Sequence, residues 1–337
     1  MTLAPVRARD DRPAPRTRSP RRGPAFGAGG ARVVRLVGGK GVVLMHLEPL
    51  DATFGATVTD IDLRALDAPT WDELHAAWLE YALLIFPGQF LDRDAQNDFA
   101  RRFGSLEFEA APISNLGRDG RVHADPGDDV VKSLRGNEGW HHDSTYMPIQ
   151  AKGAVFSAEI VPSGGAPTGW ADMRAAYDDL DDETRDLIAD KLAYHSLYYS
   201  QERAGYLPTR RNDSGGYDQY GYHDLEPPLR PLVKVHPDTG RPNLLIGRHA
   251  YGIVGMEPGA SEALLDRLND RACRPPRVHF HRWTVGDAVV WDNRRLMHRA
   301  TPFDMNEPRR MWHTRIAGDP RSELAVNHAD RAEHSAR

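Results

Sequence analysis

Residues 277–299 read RVHFHRWTVGDAVVWDNRRLMHR, and their pattern decides the expected fold. Two strand-like runs in this stretch flank Val285-Gly286-Asp287, a sequence typical of a tight hairpin turn. Strand-like runs of the same kind recur along the chain, at residues 151–161, 230–235, 243–247, 277–283, 287–291 and 310–317. Many strands linked by tight turns favour a mainly β barrel or sandwich with flanking α-helices.

Helices are expected mostly in the N-terminal part and in insertions between the strands. Trp71, Leu74, Trp78 and Tyr81 recur three and four positions apart, which predicts an amphipathic helix. The expected helices cover residues 69–81, 92–103, 173–192 and 260–272.

Composition excludes several classes of protein. The 337 residues allow one large domain or two ordinary ones. The single cysteine, Cys273, excludes an internal disulfide and a Cys-rich zinc site, so we expect an inert thiol and a reducing, cytoplasmic location. No run approaches the roughly 18 apolar residues of a membrane span. The Arg- and Pro-rich start has no apolar secretory region.

Charge is distributed unevenly along the chain. Residues 1–40 hold ten basic and two acidic residues, so the net charge of −5 combines a basic head with an acidic body. Prolines and glycines predict that residues 1–44 are disordered, followed by one folded domain at 45–320 and a polar tail at 321–337. The head could be an arm that binds nucleic acid or an anionic membrane. We favour a solvated tail, or a start codon assigned too early with Met45 as the true start.

The pattern His-x-Asp occurs four times, and such a pair on a strand can reach one metal ion from the same face. Three copies lie in tail, turn or loop sequences. Only the stretch WHHDSTY at 140–146, with His141 and Asp143, is flanked by aromatic residues and leads into a long apolar strand. His142 should point the opposite way, and we assign it a structural role.

A third candidate ligand, His298, lies in the C-terminal block. Two His and one carboxylate on one face of an octahedral metal leave three open positions, which suits non-haem Fe(II) oxygen chemistry. A 2-oxo acid can chelate two of them, while an arginine holds its distant carboxylate. Arg309 and Arg310 compete for that role, because neighbours on a strand face opposite sides. His313 is more simply a core or surface histidine.

Several motifs occur together and in a fixed order. They are WHxD at 140–143, PSGGxxT at 162–168, ADMRAAY at 171–177, HRWxVGD at 281–287 and WDNRxxxHR at 291–299. From about Leu47 to Gly318 the chain resembles the taurine / 2,4-dichlorophenoxyacetate dioxygenase (TauD/TfdA) family, most closely its 2,4-dichlorophenoxyacetate branch. The resemblance implies a double-stranded β-helix (jelly-roll, cupin-like) core and an oxidoreductase that depends on Fe(II), 2-oxoglutarate and O2.

The resemblance also implies roles for individual residues. His141, Asp143 and His298 match the iron ligands of the family. Thr168 and Arg310 match the residues that hold the far carboxylate of 2-oxoglutarate, so the match favours Arg310 over Arg309. Asn137 matches a polar residue beside the primary substrate.

The expected substrate is a small organic carboxylate. Thr314 stands where the taurine enzyme has a sulfonate-binding arginine, with Arg315 one position later, and Glu109 replaces a taurine-binding histidine. Taurine is therefore disfavoured, and we expect an aryloxyalkanoate or an amino-acid-derived natural-product intermediate. The reaction would be hydroxylation, desaturation or oxidative cleavage, with release of succinate and CO2. Asn137, Glu109, Arg315 and Tyr199 are the candidate substrate contacts.

Residues 195–230, rich in tyrosine, are expected to form a lid over the site, with an ordinary surface loop as the alternative. A sulfonate or sulfate-ester dioxygenase is the alternative function within the family. A metal-free binding module, or a protein tethered to nucleic acid through its basic head, is the alternative from another class. A homo-oligomer is compatible with the sequence.

Overall fold

The structure, a computed structural model, describes residues 32–38, 41–208 and 220–328. The strands of this part of the chain are β1 (Arg32–Gly38), β2 (Gly41–Pro49), β3 (Ala56–Thr59), β4 (Leu83–Phe86), β5 (Leu106–Ser114), β6 (Gly153–Ile160), β7 (Thr168–Asp172), β8 (Leu192–His195), β9 (Leu229–Pro231), β10 (Val233–Val235), β11 (Pro242–Leu244), β12 (Ala250–Tyr251), β13 (Val278–His281), β14 (Ala288–Asp292), β15 (Leu296–Ala300) and β16 (Arg310–Ile316). Its helices are α1 (Ala68–Tyr81), α2 (Arg93–Arg101), α3 (Asp129–Gly136), α4 (Met173–Asp178), α5 (Asp182–Ile188), α6 (Leu197–Arg203), α7 (Pro258–Ala272) and α8 (Pro320–Glu323). None of these helices has the length and apolar character of a transmembrane span.

Two antiparallel sheets form the centre of the fold. The larger has the order β1-β2-β3-β4-β14-β6-β16-β5, with only β3 and β4 parallel among its described pairs, and the smaller has the order β13-β7-β15. Side chains from both sheets share one buried cluster, in which Trp170 of β7 lies 6.0 Å from Trp291 of β14 between ring centroids. The prediction of a mainly β fold with flanking helices is confirmed.

Helices α1 and α2 cover the outer face of the large sheet. β14 is buried on both faces, so Val290 packs into the cluster under α1 and α2 while Trp291 faces the small sheet. Each helix begins at an aspartate that accepts a hydrogen bond from the backbone of the first turn: Asp67 from Thr70 (3.0 Å) and Asp92 from Ala95 (2.8 Å). Both predicted helices are confirmed.

The predicted helix over residues 173–192 is wrong as a single element. It is two short helices, α4 and α5, followed by β8. Asp181 restarts the helix as an N-cap, accepting from the Thr184 amide at 2.7 Å. The predicted helix over residues 260–272 is confirmed as α7.

The predicted domain boundaries need two corrections. Residues 1–31 and 39–40 of the expected disordered head lie outside the described residues, but β1 and β2 pair from Arg32 with Leu47 to Gly38 with Gly41. The missed signal is two valine-rich runs around a glycine-rich turn.

The expected polar tail is also structured at its start. Glu323, Ala325 and His328 are buried, and Glu323 pairs with Lys234. Residues 329–337 lie outside the described residues.

Candidate metal centre and active site

Three predicted ligands meet in the space between the two sheets. His141, Asp143 and His298 are buried and offer ligand atoms that all lie within 4.8 Å of one another. An isolated antiparallel bridge joins the histidine backbones: His141 N donates to His298 O (3.0 Å), and His298 N donates to His141 O (2.8 Å). Because β15 is also paired with β7, at His298 opposite Trp170, the bridge fixes both imidazoles against the small sheet.

The donor set suits a non-haem iron ion. His141 Nδ1 donates to the Gly139 carbonyl at 2.7 Å, so Nε2 is free to bind a metal. Asp143 Oδ2 has no hydrogen-bond partner among the described residues, and His298 Nε2 lies 3.7 Å from it. Burial lowers the pKa of His141 well below its usual value and that of His298 to about 3, which keeps both imidazoles neutral. Two neutral imidazoles and one carboxylate are the ligands that this iron chemistry requires.

Arg315 and His313 surround the carboxylate of Asp143. Arg315 Nη2 lies 2.8 Å from Asp143 Oδ1, and Arg315 Nη1 donates to Ser144 Oγ at 3.1 Å. His313 Nε2 lies 3.5 Å from Asp143 Oδ2. Burial alone would raise the pKa of Asp143, but Arg315 and His313 outweigh it and lower the pKa. The predicted substrate residue Arg315 therefore reaches the site. His313, predicted to be a core or surface histidine, lies beside it and was missed.

Arg310 does not reach the site, and its prediction as a 2-oxoglutarate ligand is wrong. Arg310 and Trp312 lie on the outer face of the large sheet, where both donate to Glu159, Arg310 at 3.3 Å. Arg309 and His313 line the central cavity instead. Neighbouring residues of a strand face opposite sides, so only one of the two arginines can face the cavity. That residue is Arg309.

Arg309 is a buried cation that faces the cavity. It is 4% exposed, and no described Asp or Glu forms an ion pair with it. Desolvation lowers the pKa of Arg309 to about 10. Its guanidinium lies over the rings of Phe156 and Phe303, 5.9 and 5.6 Å from their centroids. The arrangement leaves the guanidinium available to an anion in the cavity.

Thr168 and Asn137 line the same cavity. Thr168 Oγ1 accepts a hydrogen bond from Trp283 Nε1 at 2.9 Å, which leaves its hydroxyl proton to donate to an acceptor in the cavity. Asn137, at the end of α3, accepts at its backbone carbonyl from Ala300 N at 2.8 Å. Both residues therefore line the cavity, and their roles in binding stay predictions.

The remaining wall of the cavity is mostly apolar. Its residues include Ile113, Tyr146, Phe156, Leu197 and Trp291. No sequence pattern indicates Ile113 or Leu197. His249, another lining residue, was also missed; its Nδ1 pairs with Ser200 Oγ at 2.8 Å, and its ring lies 5.5 Å from that of His141.

Two predicted substrate contacts lie away from the cavity. Glu109 is exposed on β5 and pairs with Arg101 at 2.6 Å, because strand alternation turns Phe108 inward and Glu109 outward. Tyr199 stacks on Tyr251 with ring centroids 4.5 Å apart, and its hydroxyl reaches Glu262. Both predictions are wrong.

Comparison with known proteins decides the family. The model of the "Taurine catabolism dioxygenase TauD, TfdA family" matches residues 46–315. The chain belongs to this family. An (S)-phenoxypropionate/alpha-ketoglutarate-dioxygenase from Sphingobium herbicidovorans is 60% identical over 284 residues, covering 84% of this chain and 98% of the relative. An alpha-ketoglutarate-dependent 2,4-dichlorophenoxyacetate dioxygenase from Cupriavidus pinatubonensis is 36% identical, covering 78% of this chain and 94% of the relative.

A solved structure shows the same fold. The crystal structure of AAD-2 in complex with Mn(II) and N-oxalylglycine has a TM-score of 0.75 and 36% identity, covering 84% of this chain and 98% of that chain. The jelly-roll core expected from the resemblance is confirmed. This TauD/TfdA protein is a dioxygenase that uses Fe(II), 2-oxoglutarate (alpha-ketoglutarate) and O2.

The predicted lid of this dioxygenase is described only in part. Residues 209–219 lie outside the described residues. On one side of the gap, Leu197 of α6 lines the cavity; on the other, the Tyr220 hydroxyl donates to Glu107 and lies 3.0 Å from Ser144 Oγ. A role for residues 195–230 as a lid stays a prediction.

Proposed function

We propose that this dioxygenase oxidises an aryloxyalkanoate, with (S)-2-phenoxypropionate as the first candidate. The observation that carries the proposal is the cavity beside the His-Asp-His cluster, which combines an apolar, partly aromatic wall with buried arginines. An aryl ring packs against the apolar wall, and a carboxylate pairs with an arginine. The relative with 60% identity, whose name includes (S)-phenoxypropionate, supports the same substrate class.

His141, Asp143 and His298 would hold the iron. When bound there, the metal supplies the oxygen chemistry, in which 2-oxoglutarate and O2 become succinate and CO2 while the substrate is oxidised. The chain supplies neutral imidazoles and an ionised carboxylate, because burial and Arg315 set the protonation of these groups. Its second contribution is a cavity walled by Phe156 and Trp291 that excludes water from the reaction.

Arg309 and Thr168 would hold the far carboxylate of 2-oxoglutarate. The guanidinium of Arg309 can form two parallel hydrogen bonds with a carboxylate, and Thr168 can donate a third. The absence of an acidic partner for Arg309 among the described residues supports this role, since an unpaired buried cation is stabilised by an anionic ligand. Binding at this end fixes the orientation of the co-substrate before the substrate enters.

The primary substrate would occupy the apolar part of the cavity. Ile113, Tyr146 and Leu197 would contact the aryl ring, and Asn137 and Arg315 are the polar candidates for its carboxylate. Hydroxylation at the carbon that carries the ether oxygen gives a hemiketal, which expels a phenol. The presence of Asp143 among the ligands favours hydroxylation over halogenation, because the carboxylate would occupy the position that a halide needs.

The proposal is tested by the stoichiometry of turnover. Protein supplied with Fe(II), 2-oxoglutarate and O2 should release succinate and phenol from (S)-2-phenoxypropionate in a constant ratio, and neither when O2 is withheld. The comparison panel contains (R)-2-phenoxypropionate, phenoxyacetate, taurine and an alkyl sulfate. Succinate release coupled to taurine or the alkyl sulfate, with none from any aryloxyalkanoate, would refute the substrate class.

We also propose that the enzyme is cytoplasmic, acts on a small molecule and does not bind nucleic acid. Cys273, the single cysteine, is a free thiol, and burial raises its pKa to about 12, so it stays protonated and inert. A homo-oligomer is compatible with this function. Light scattering measures the oligomeric state. A DNA-binding assay with and without residues 1–31 tests the absence of nucleic-acid binding.

A further inference from the structure

Two asparagines lie behind the active site, and neither lines the cavity. Asn293, in the turn between β14 and β15, and Asn115, after β5, are both completely buried. Each holds the backbone of a residue that does face the cavity. Neither was predicted to be a site residue, although Asn293 lies within the motif WDNRxxxHR.

Asn293 holds Asp143. The amide of Asp143 donates to Asn293 Oδ1 at 2.7 Å, and Asn293 Nδ2 donates back to the Asp143 carbonyl at 3.0 Å. The same Nδ2 donates to the Ala151 carbonyl at 2.9 Å. The side chain thus pairs with Asp143 as a residue of a neighbouring strand would, next to Ser144, where the chain turns away with φ of 56°.

Asn115 holds Arg309 with its side-chain oxygen and its own backbone amide. The amide of Arg309 donates to Asn115 Oδ1 at 2.7 Å, and the Arg309 carbonyl accepts from the backbone amide of Asn115 at 3.3 Å. Asn115 Nδ2 donates to the carbonyls of Met305 and Glu307 at 3.0 and 2.9 Å. These hydrogen bonds of Asn115 therefore tie Arg309 to the loop that leads into β16.

We propose that Asn293 and Asn115 are positioning residues that act on separate halves of the site, Asn293 on metal binding through Asp143 and Asn115 on 2-oxoglutarate binding through Arg309. The inference rests on the proposed roles of Asp143 and Arg309. Backbone pairing alone does not fix either residue: Asp143 is outside the described strands, and Arg309 precedes the first residue of β16. The Asn293 side-chain amide supplies both missing hydrogen bonds at Asp143, whereas the Asn115 side chain accepts the Arg309 amide and the Arg309 carbonyl accepts from Asn115 N and Ser114 Oγ.

The two residues offer a matched pair of substitutions. Changing either asparagine to aspartate keeps the oxygen that accepts the backbone amide and the size of the side chain. It replaces the amide donor by an oxygen that faces two backbone carbonyls, at Asp143 and Ala151 or at Met305 and Glu307. Asn293→Asp and Asn115→Asp therefore impose the same chemical change, and each is the control for the other. Asn243→Asp, in buried β11, controls for burying one more carboxylate.

The test measures binding to the full-length protein, apart from turnover. Mn(II) affinity of the metal-free protein is followed by electron paramagnetic resonance, and 2-oxoglutarate affinity by calorimetry at saturating Mn(II). We expect Asn293→Asp to weaken Mn(II) binding about 10- to 100-fold, with the 2-oxoglutarate affinity of the Mn(II)-saturated protein unchanged. We expect Asn115→Asp to leave Mn(II) binding unchanged and to weaken 2-oxoglutarate binding about 100-fold. Asn243→Asp should alter neither.

Equal losses of both affinities in both variants would overturn the proposal, as would no loss in either. If an aspartate variant does not fold by circular dichroism, Asn293→Ser or Asn115→Ser replaces it, because serine keeps an oxygen without adding charge. Failure of both variants at one position would show a role in folding and refute the proposal there. Failure of the unmodified protein to bind Mn(II) and 2-oxoglutarate would instead refute the proposed function.

Discussion

Replacing Arg309 by Met should weaken 2-oxoglutarate binding about 100-fold or more while leaving the folded protein at least as stable as before. The two effects have the same origin, a cation buried without a carboxylate partner among the described residues. Burial lowers the pKa of Arg309 from its usual value to about 10. At 1.36 kcal/mol for each tenfold change in proton affinity, the buried charge costs the folded state about 3 kcal/mol.

Loss of two contacts with aromatic rings reduces the expected gain in stability. The guanidinium contacts the rings of Phe156 and Phe303, and each contact contributes about 1 kcal/mol. Methionine also fills most of the volume that the arginine leaves. The net gain in the free energy of unfolding of the ligand-free Arg309→Met protein is therefore about 1 kcal/mol.

The loss of binding should be much larger. Each hydrogen bond to a charged group contributes about 1.5–3 kcal/mol, and Arg309 is positioned to donate two. The KM for 2-oxoglutarate should therefore rise about 100-fold or more. Arg310→Met is the matched control, since Arg310 pairs with Glu159 on the outer face of the sheet. The assay combines chemical denaturation without ligand and succinate release over a range of 2-oxoglutarate concentrations. A rise in KM in the Arg310 variant, with none in the Arg309 variant, would refute the reasoning.

Three further predictions follow from the site and its surroundings. Asp143→Ala should lose Mn(II) binding and turnover while remaining folded, and normal succinate release by this variant would contradict the ligand assignment. Leu197→Ala should raise the KM for aryloxyalkanoates about tenfold by removing a cavity contact, whereas Tyr199→Phe should leave it unchanged; equal effects would contradict the placement of α6. Burial would raise the pKa of Asp292, but Arg294 lowers it well below its usual value, so the ionised carboxylate stabilises the fold above about pH 4 and that stability is lost as the pH falls. Asp292→Asn should therefore lower the free energy of unfolding at pH 7 by about 3 kcal/mol and flatten its decline in acid; an unchanged acid limb in denaturant titrations would refute this.

The site could be predicted in outline because its ligands lie in short, ordered motifs. His141 and Asp143 are two residues apart, so one local pattern indicates both. The arginine was assigned one position too late, although strand alternation correctly limited the choice to Arg309 or Arg310. Glu109 failed in the same way, because a motif match does not specify which face of β5 a residue occupies.

Residues recruited from distant segments could not be predicted. Leu197 and His249 enter the cavity from α6 and from the loop before β12, and their positions depend on packing between elements far apart in sequence. Asn293 lies within the motif WDNRxxxHR, but its role, like that of Asn115, depends on contacts with backbone groups that the motif does not indicate. The N-terminal hairpin was missed because a strongly basic, proline-rich composition averaged over residues 1–44 obscured the two short valine-rich runs within it.

The position of β16 also has a consequence for synthesis of the protein. This strand is synthesised long after β5 and β6, yet it lies between them in the large sheet. Until it emerges, the nascent chain presents two unpaired strand edges and lacks Arg309, His313 and Arg315. His298 is synthesised before β16, so the nascent chain carries all three proposed iron ligands before the large sheet closes. Synthesis through β16 then adds Arg309, His313 and Arg315, so the part of the site proposed to bind 2-oxoglutarate is completed after its metal ligands.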